Sequence, residues 1–220
     1  MKKHFSEELT LIRQTVLRMG GLVEQMTHLS VQALVERNEE MLKDIRKMET
    51  EVNQLHIDID EMCLEVIARR QPAATDLRFL SAAMKINTDM ERIGDQAINI
   101  VQRTESLLTV PLLKPLIDIP RMAEIAKEML KAALDAFVNR DADLAYANIL
   151  KDDTVDQLKD QVFRELLTYM ISDPTTIPRA MDLILVSRHL ERVADHATNI
   201  CEDVIFMVKG KDIRHQGPLA

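Results

Sequence analysis

The sequence ERIGDQAINI, from Glu91 to Ile100, occurs twice in this chain with small changes. One hundred positions later the chain reads ERVADHATNI, from Glu191 to Ile200, and six of the ten aligned positions are identical. Two unrelated helices would not share residues in register to this degree. The pair therefore predicts an internal duplication of the chain.

The duplication extends beyond these two segments. ALVERN, from Ala33, resembles AFVNRD, from Ala136, and Val52 corresponds to Val155, both at an offset of 103. Apolar residues recur at steps of three and four in each half, which is the spacing of one face of a helix. We therefore predict an all-α fold of two tandem three-helix bundles, six helices in total, related by internal duplication.

The predicted helices are roughly 5–37, 39–67, 76–107, 121–139, 142–171 and 177–208. We predict a first repeat over 1–108, a linker over 109–120, a second repeat over 121–209 and a polar tail over 210–220. The linker holds Pro111, Pro115 and Pro120, and its apolar residues favour a path along the protein surface. Gly20 and Gly21 are expected to mark a kink or the close approach of another helix.

Composition agrees with a helical protein, since aromatic residues make up 3% of the chain and only five residues are glycine. The formal net charge of -8 argues against nucleic-acid binding, which needs a dense surface of Lys and Arg. Cys63 and Cys201 fit no zinc spacing and are expected to be buried, reduced thiols. Neither a signal peptide nor an apolar run of about 18 residues is expected, so the sequence favours a cytoplasmic protein.

Acidic residues recur at helical spacing in both copies of the duplicated segment. Glu91 and Asp95 are four residues apart, as are Glu191 and Asp195, so each pair lies on one helix face beside the apolar stripe. Like charges at this spacing destabilise a helix by roughly 0.2–0.5 kcal/mol. A bound cation would remove that cost, and carboxylate oxygens suit magnesium, manganese, iron and zinc.

The middle helix of each half adds a second acidic or amide pair. Glu49 and Asn53 in the first half correspond to Asp152 and Asp156 in the second, at an offset of 103. If these helices face the last helix of each half, four oxygen ligands per half are enough for a polynuclear metal site. The alternative is solvated surface charge, because Glu-x-x-x-Asp pairs are common on helices.

Sequence signatures of catalysis are missing from the chain. It contains no Glu-x-x-His pair of di-iron bundles, no P-loop, no Gly-rich nucleotide fingerprint and no nucleophile elbow. The histidines have no partners at repeat-equivalent positions and are expected to be surface or hydrogen-bonded residues. Arg92 and Arg192 are expected to bridge to acids on a neighbouring helix. We therefore predict a protein that is not an enzyme.

ERIGDQAINI and ERVADHATNI resemble the duplicated signature of the PhoU family, regulators of bacterial phosphate uptake. ARRQPAATDLR, over 68–78, and MGGLVE, over 19–24, also resemble that family. The resemblance implies two three-helix bundles side by side. It implies a non-enzymatic negative regulator of phosphate uptake and of the phosphate-starvation response, which couples the high-affinity phosphate transporter to a sensor histidine kinase.

The resemblance also implies partners and cofactors. The partners would be the ATPase subunit of the transporter and the kinase, with the protein peripheral to the inner membrane through them. Metal ions, divalent or trivalent, with iron or zinc favoured, would bind as clusters at Glu91, Asp95, Glu191 and Asp195. A homodimer is compatible with the apolar stripes.

The second repeat has Ala194 where the first has Gly94. This difference predicts that the two halves share the function unevenly.

Two alternatives remain open at this point. One is a metal-binding helical bundle with an enzymatic or metal-storage role. The other is a metal-free helical scaffold.

Overall fold

The computed structural model describes residues 2–213, and within them every regular element is helical. The α-helices are α1 (Lys2–Glu36), α2 (Glu39–Arg70), α3 (Ala74–Leu108), α4 (Asp118–Asn139), α5 (Ala142–Ile149), α6 (Asp152–Ser172) and α7 (Ile177–Lys209). A one-turn 3-10 helix, Pro174–Thr176, precedes α7. The predicted all-α class with two tandem helical bundles is confirmed.

The fifth predicted helix is interrupted, so the prediction of one unbroken helix over 142–171 is wrong at Leu150 and Lys151. Asn148 is buried beside the break. Its Nδ2 donates to the carbonyl oxygen of Met129 at 2.7 Å and to Sγ of Cys201 at 3.3 Å. This side chain ties the end of α5 to α4 and α7, whereas the equivalent helix α2 runs without a break.

The two halves pack side by side along α3 and α7, which form the most extensive helix contact in the described chain. Asp89 of α3 pairs with His196 of α7 at 2.8 Å, and Gln96 of α3 with His189 of α7 at 2.9 Å. Partner numbers fall on α7 as they rise on α3, so the helices are antiparallel. Position 89 corresponds to 189 and position 96 to 196. The two contacts are therefore related by the duplication, and the repeated segments lie at the centre of this seam.

Ion pairs extend the seam toward both of its ends. Lys85 approaches the buried Asp203 at 3.2 Å at one end. At the other end Asp182 accepts from Arg103 at 3.4 Å and from Ser106 at 3.0 Å. These charged contacts fix the register of α3 against α7 over most of their length.

A second contact between the halves joins α1 to α4. A Cβ atom added at Gly20 would overlap the Cδ1 atom of Leu134 on α4, whereas one added at Gly21 would meet nothing within 4 Å. The predicted close approach of another helix is therefore found at Gly20. The helix α1 continues through both glycines without interruption.

The segment between α3 and α4 lies along the protein, as its apolar composition predicted. Arg37 donates to the carbonyl oxygens of Leu107, Leu108 and Val110 at 3.3, 2.8 and 2.8 Å. Lys114 is buried and pairs with Glu165 on α6. The boundaries of the predicted repeats and linker stay a prediction.

No helix in the described part of the chain combines the length and the apolar character that crossing a membrane requires. Residues 214–220 of the predicted polar tail lie outside the described residues.

Candidate metal centre

The second half brings its four acidic residues to one place between α6 and α7. Asp152 and Asp156 lie on the first turns of α6, and Glu191 and Asp195 lie in the middle of α7. The Lys159 ammonium lies between the helices, 2.9 Å from Oδ1 of Asp156 and 3.1 Å from Oε1 of Glu191. The two helices therefore face each other at these carboxylates.

The electrostatics of this cluster are those of crowded negative charge. Burial, followed by the charges of Asp195 and Asp156, raises the pKa of Asp152 to about 6. Although much of the Asp195 side chain reaches solvent, desolvation and then the charges of Glu191 and Asp156 also raise its pKa. Each carboxylate makes ionisation of its neighbours harder, which a positive charge in their midst would relieve.

Lys159 supplies part of that positive charge. Its hydrogen bond to Asp156 is the largest influence on its pKa, which is raised even though partial burial works against it. The side chain is 28% exposed, so the ion pairs are partly shielded from water. Sequence reasoning missed this lysine, because only the pairing of α6 with α7 shows that it reaches both acids.

The first half holds its acids differently. Arg92 approaches Glu91 at 3.5 Å and Asp95 at 3.4 Å, all within α3, so the expectation that Arg92 bridges to a neighbouring helix is wrong. On α2, Glu49 is half-buried and Asn53 is exposed. Neither residue takes part in a hydrogen bond or ion pair that links α2 to the acids of α3 in the described residues.

His56 occupies the position in α2 that corresponds to Lys159 in α6. Its Nδ1 atom is buried without a hydrogen-bond partner, and its Nε2 atom lies 4.0 Å from Asp60. The nearby Asn87 donates to the His56 carbonyl oxygen at 2.8 Å and to Asp60 at 3.0 Å. The Lys159 ammonium therefore joins α6 to α7, whereas the side-chain amide of Asn87 joins α3 to α2.

The helix approach beneath the acids also differs between the halves. A Cβ atom added at Gly94 would lie 3.4 Å from Cγ1 of Val52 on α2, which is ordinary contact. Ala194 occupies the equivalent position of α7 and is fully buried. The methyl group fits there, so the glycine of the first copy is not a steric requirement of the fold.

The acidic residues are of the type that binds metal ions, but their present positions do not surround a single ion. Within residues 2–213, no three His, Cys, Asp or Glu side chains come together closely enough to hold one ion. In the second half, the ammonium of Lys159 takes the space between Asp156 and Glu191. Carboxylate oxygens are nevertheless ligands that suit a hard or borderline cation, and a cation bound here would replace that ammonium as counter-charge.

The histidines of the seam have hydrogen-bond partners, as expected. His196 pairs with Asp89, which also accepts from Asn199 at 3.2 Å. Burial, followed by the nearby Arg192, lowers the pKa of His189 to about 4, so this imidazole stays neutral against Gln96. Asp89 was not predicted as a site residue, since its partners lie about one hundred positions away.

Comparison with known proteins extends over almost the whole chain. The PhoU domain model matches residues 16–104 and again residues 119–204. The chain is 39% identical to the phosphate-specific transport system accessory protein PhoU homolog of Pseudomonas putida, covering 99% of this chain and 85% of that protein. It is 35% identical to the accessory protein PhoU of Escherichia coli, covering 97% of this chain and 88% of that protein.

Solved structures give the same result. The crystal structure of PhoU from Pseudomonas aeruginosa superimposes with a TM-score of 0.90 at 39% identity, covering 94% of this chain and 100% of that one. The phosphate transport system regulatory protein PhoU from Streptococcus pneumoniae superimposes with a TM-score of 0.86 at 28% identity, covering 94% and 98%. Since both repeats match the family model and relatives align over nearly their full length, this chain belongs to the PhoU family.

Proposed function

We propose that this protein is a negative regulator of phosphate uptake and of the phosphate-starvation response, which couples the high-affinity phosphate transporter to a sensor histidine kinase. The family is one of accessory and regulatory proteins, and the chain is not an enzyme. The observation that carries the proposal is the extent of the match, which includes both repeats and 97% of the chain against the Escherichia coli accessory protein. We propose that it works at the cytoplasmic face of the inner membrane through its partners.

The proposed partners are the ATPase subunit of the transporter and the kinase, and we propose that the protein acts as a homodimer. The experiment deletes the gene and measures phosphatase expression in high phosphate. We expect expression to be derepressed and then restored by the intact gene. Repression that survives the deletion would contradict the regulatory role.

We further propose that the acidic residues bind metal ions, with iron or zinc favoured. In the second half the ligands would be Asp152, Asp156, Glu191 and Asp195. In the first half they would be Glu49, Asn53, Glu91 and Asp95. A bound cation would neutralise the crowded carboxylates and cross-link the middle helix of a half to its last helix. The raised pKa of Asp152 and of Asp195 supports this proposal, because burial and then the neighbouring carboxylates make both groups harder to ionise, and a bound cation would favour their ionised forms.

Metal content tests this site directly. The protein is purified without added metal, loaded with Zn²⁺ or Fe²⁺, and its metal content is measured after gel filtration. The double variant Glu191→Ala with Asp195→Ala should lose the metal bound in the second half. The double variant Glu91→Ala with Asp95→Ala should lose the metal bound in the first half. Asp44→Asn is the matched control, since Asp44 is an exposed acid on α2 that pairs with Lys47. Equal metal content in all four proteins would refute the site.

A further inference from the structure

Two aromatic rings, one from each half, stack at the end of the molecule where α3 begins and α4 ends. Phe79 of α3 and Phe137 of α4 lie with ring centres 5.6 Å apart and planes inclined by 13°. Both residues are fully buried. The stack is part of the hydrophobic core, so the surrounding side chains hold it in place.

Two arginines converge on the ring of Phe79. The guanidinium carbon of Arg13, on α1, lies 5.4 Å from the ring centre, and that of Arg140, at the end of α4, lies 5.9 Å from it. A guanidinium over an aromatic face is attracted by the negative charge of that face. That attraction holds each arginine at the ring, but it does not neutralise its positive charge.

Neither arginine has a carboxylate partner among residues 2–213. The Nε atom of Arg13 is buried and donates to nothing. Acids close to them in sequence have other partners, since Glu8 pairs with Arg70 at 2.8 Å and Asp141 accepts from the backbone N–H groups of Asp143 and Leu144. Neither guanidinium is thus paired directly with an acid in the described residues, although the net charge of the protein is -8.

The repeat gives an internal reference for Arg140. Its equivalent in the first half is Arg37, and both residues cap a helix in the left-handed conformation, with φ of 53° and 55°. That conformation is unfavourable for a residue other than glycine. Arg37 uses the position to donate to three carbonyl oxygens at the end of α3. Among residues 2–213 the Arg140 side chain makes no such bonds, and its guanidinium lies over the ring of Phe79 instead.

We propose that Arg13 and Arg140 form a binding site for an oxyanion of the phosphate type. Two guanidinium groups present paired N–H donors in the geometry that phosphate oxygens accept. A dianion balances both charges, whereas a single carboxylate balances one. The site does not depend on the acidic residues of α3 and α7 or on the proposed regulatory role. A failure of either proposal leaves the other intact.

Titration of the purified, metal-free chain tests the site. Inorganic phosphate, a phosphate monoester such as glycerol phosphate, and chloride are compared by calorimetry at constant ionic strength, up to roughly 10 mM. We expect saturable binding of phosphate or of the ester and none of chloride. Stronger binding of the ester would show that the natural ligand is an organic phosphate, and stronger binding of inorganic phosphate would show a free ion.

Atom-level evidence comes from nuclear magnetic resonance of the arginine side chains. The Nε–H signal of Arg13 should shift on saturation, because this donor has no other partner. Arg13→Gln and Arg140→Gln should each weaken binding at least tenfold. Arg18→Gln is the matched control, since it removes an exposed positive charge from the same helix and should leave binding unchanged.

Arg140→Gly separates binding from folding. Glycine adopts the left-handed conformation without strain, so this variant should unfold at a temperature no lower than that of the wild type while losing the anion. The proposal is overturned if the wild type shows no saturable binding of either phosphate compound. It is equally overturned if Arg140→Gly binds them as tightly as the wild type does.

Discussion

The two halves of this protein share a fold and a ten-residue signature, but they compensate their acidic residues in different ways. In the second half, Lys159 reaches across from α6 and pairs with acids on both helices. In the first half, Arg92 pairs with Glu91 and Asp95 along α3, and the position equivalent to Lys159 holds His56. The acids of the last helix are therefore the same in both halves, whereas the basic residues that pair with them differ.

This difference has an energetic consequence. Lys159 is 28% exposed and links two helices, while Arg92 is 57% exposed and links residues of one helix. Exposed pairs within a helix contribute at most about 0.5 kcal/mol, and partly buried pairs between helices contribute more. The second half therefore depends more on its counter-charge than the first, which the following variants would test from the largest expected effect to the smallest.

Lys159→Met should produce the largest change. It leaves four crowded carboxylates without their cation, so we expect the free energy of unfolding to fall by about 2 kcal/mol near neutral pH in the presence of a chelator. Arg92→Met, the matched change in the first half, should alter it by less than about 0.5 kcal/mol. Urea denaturation followed by circular dichroism measures both. Equal losses in the two variants would remove the distinction between the halves.

Lys159→Met should also change the metal affinity of the second half. Without Lys159, an incoming cation no longer displaces an ammonium, so we expect the affinity of the site for Zn²⁺ to rise about tenfold. Arg92→Met should change the affinity of the first-half site less, because Arg92 is exposed and can turn away. Competition with a chromophoric chelator measures the constants. Weaker binding by Lys159→Met would show that the lysine helps to form the site.

Asp152→Asn tests the pH dependence of the acidic cluster. The pKa of Asp152 is about 6 in the folded protein against an ordinary value of 3.8, so the folded state holds this proton more tightly than the unfolded chain does. The contribution of this group to stability is therefore present below the ordinary value and is lost as the pH rises through 6.

Removing that charge should raise the free energy of unfolding by about 1 kcal/mol above pH 7 and change it little near pH 4. Glu49→Gln, at the equivalent position of α2, is the matched control. Chemical denaturation of the metal-free protein at several pH values gives the comparison. A gain for Asp152→Asn that is the same at both ends of the pH range would point to a cause other than ionisation.

Exchanging the small residues of the two signatures should have the smallest effect. Gly94→Ala places a methyl group in ordinary contact with Val52 and improves helix propensity. We expect a gain of about 0.5 kcal/mol in the free energy of unfolding. Ala194→Gly should lower it by a similar amount. Marked destabilisation by Gly94→Ala would show that the methyl group does not fit between α2 and α3.

The limits of sequence reasoning are visible at particular residues. The helix break at Leu150 and Lys151 was missed because it accompanies hydrogen bonds of Asn148 to Met129 and Cys201, which lie 19 and 53 positions away. The path of the linker was anticipated from its apolar residues. The residues that hold it, Arg37 after α1 and Glu165 on α6, are brought near the linker only by the packing of the helices.

The sequence by itself determined the helical class, the duplication and the family, because these depend on periodicity, composition and in-register identity, all of which are local or repetitive properties. It also placed the acids on the flank of the apolar stripe. Tertiary structure alone decided which counter-charges meet those acids, how α3 lies antiparallel to α7, and why Arg13 and Arg140 share one ring. Such contacts join residues far apart in the chain, and no spacing along the sequence encodes the distance between two helices that pack against each other.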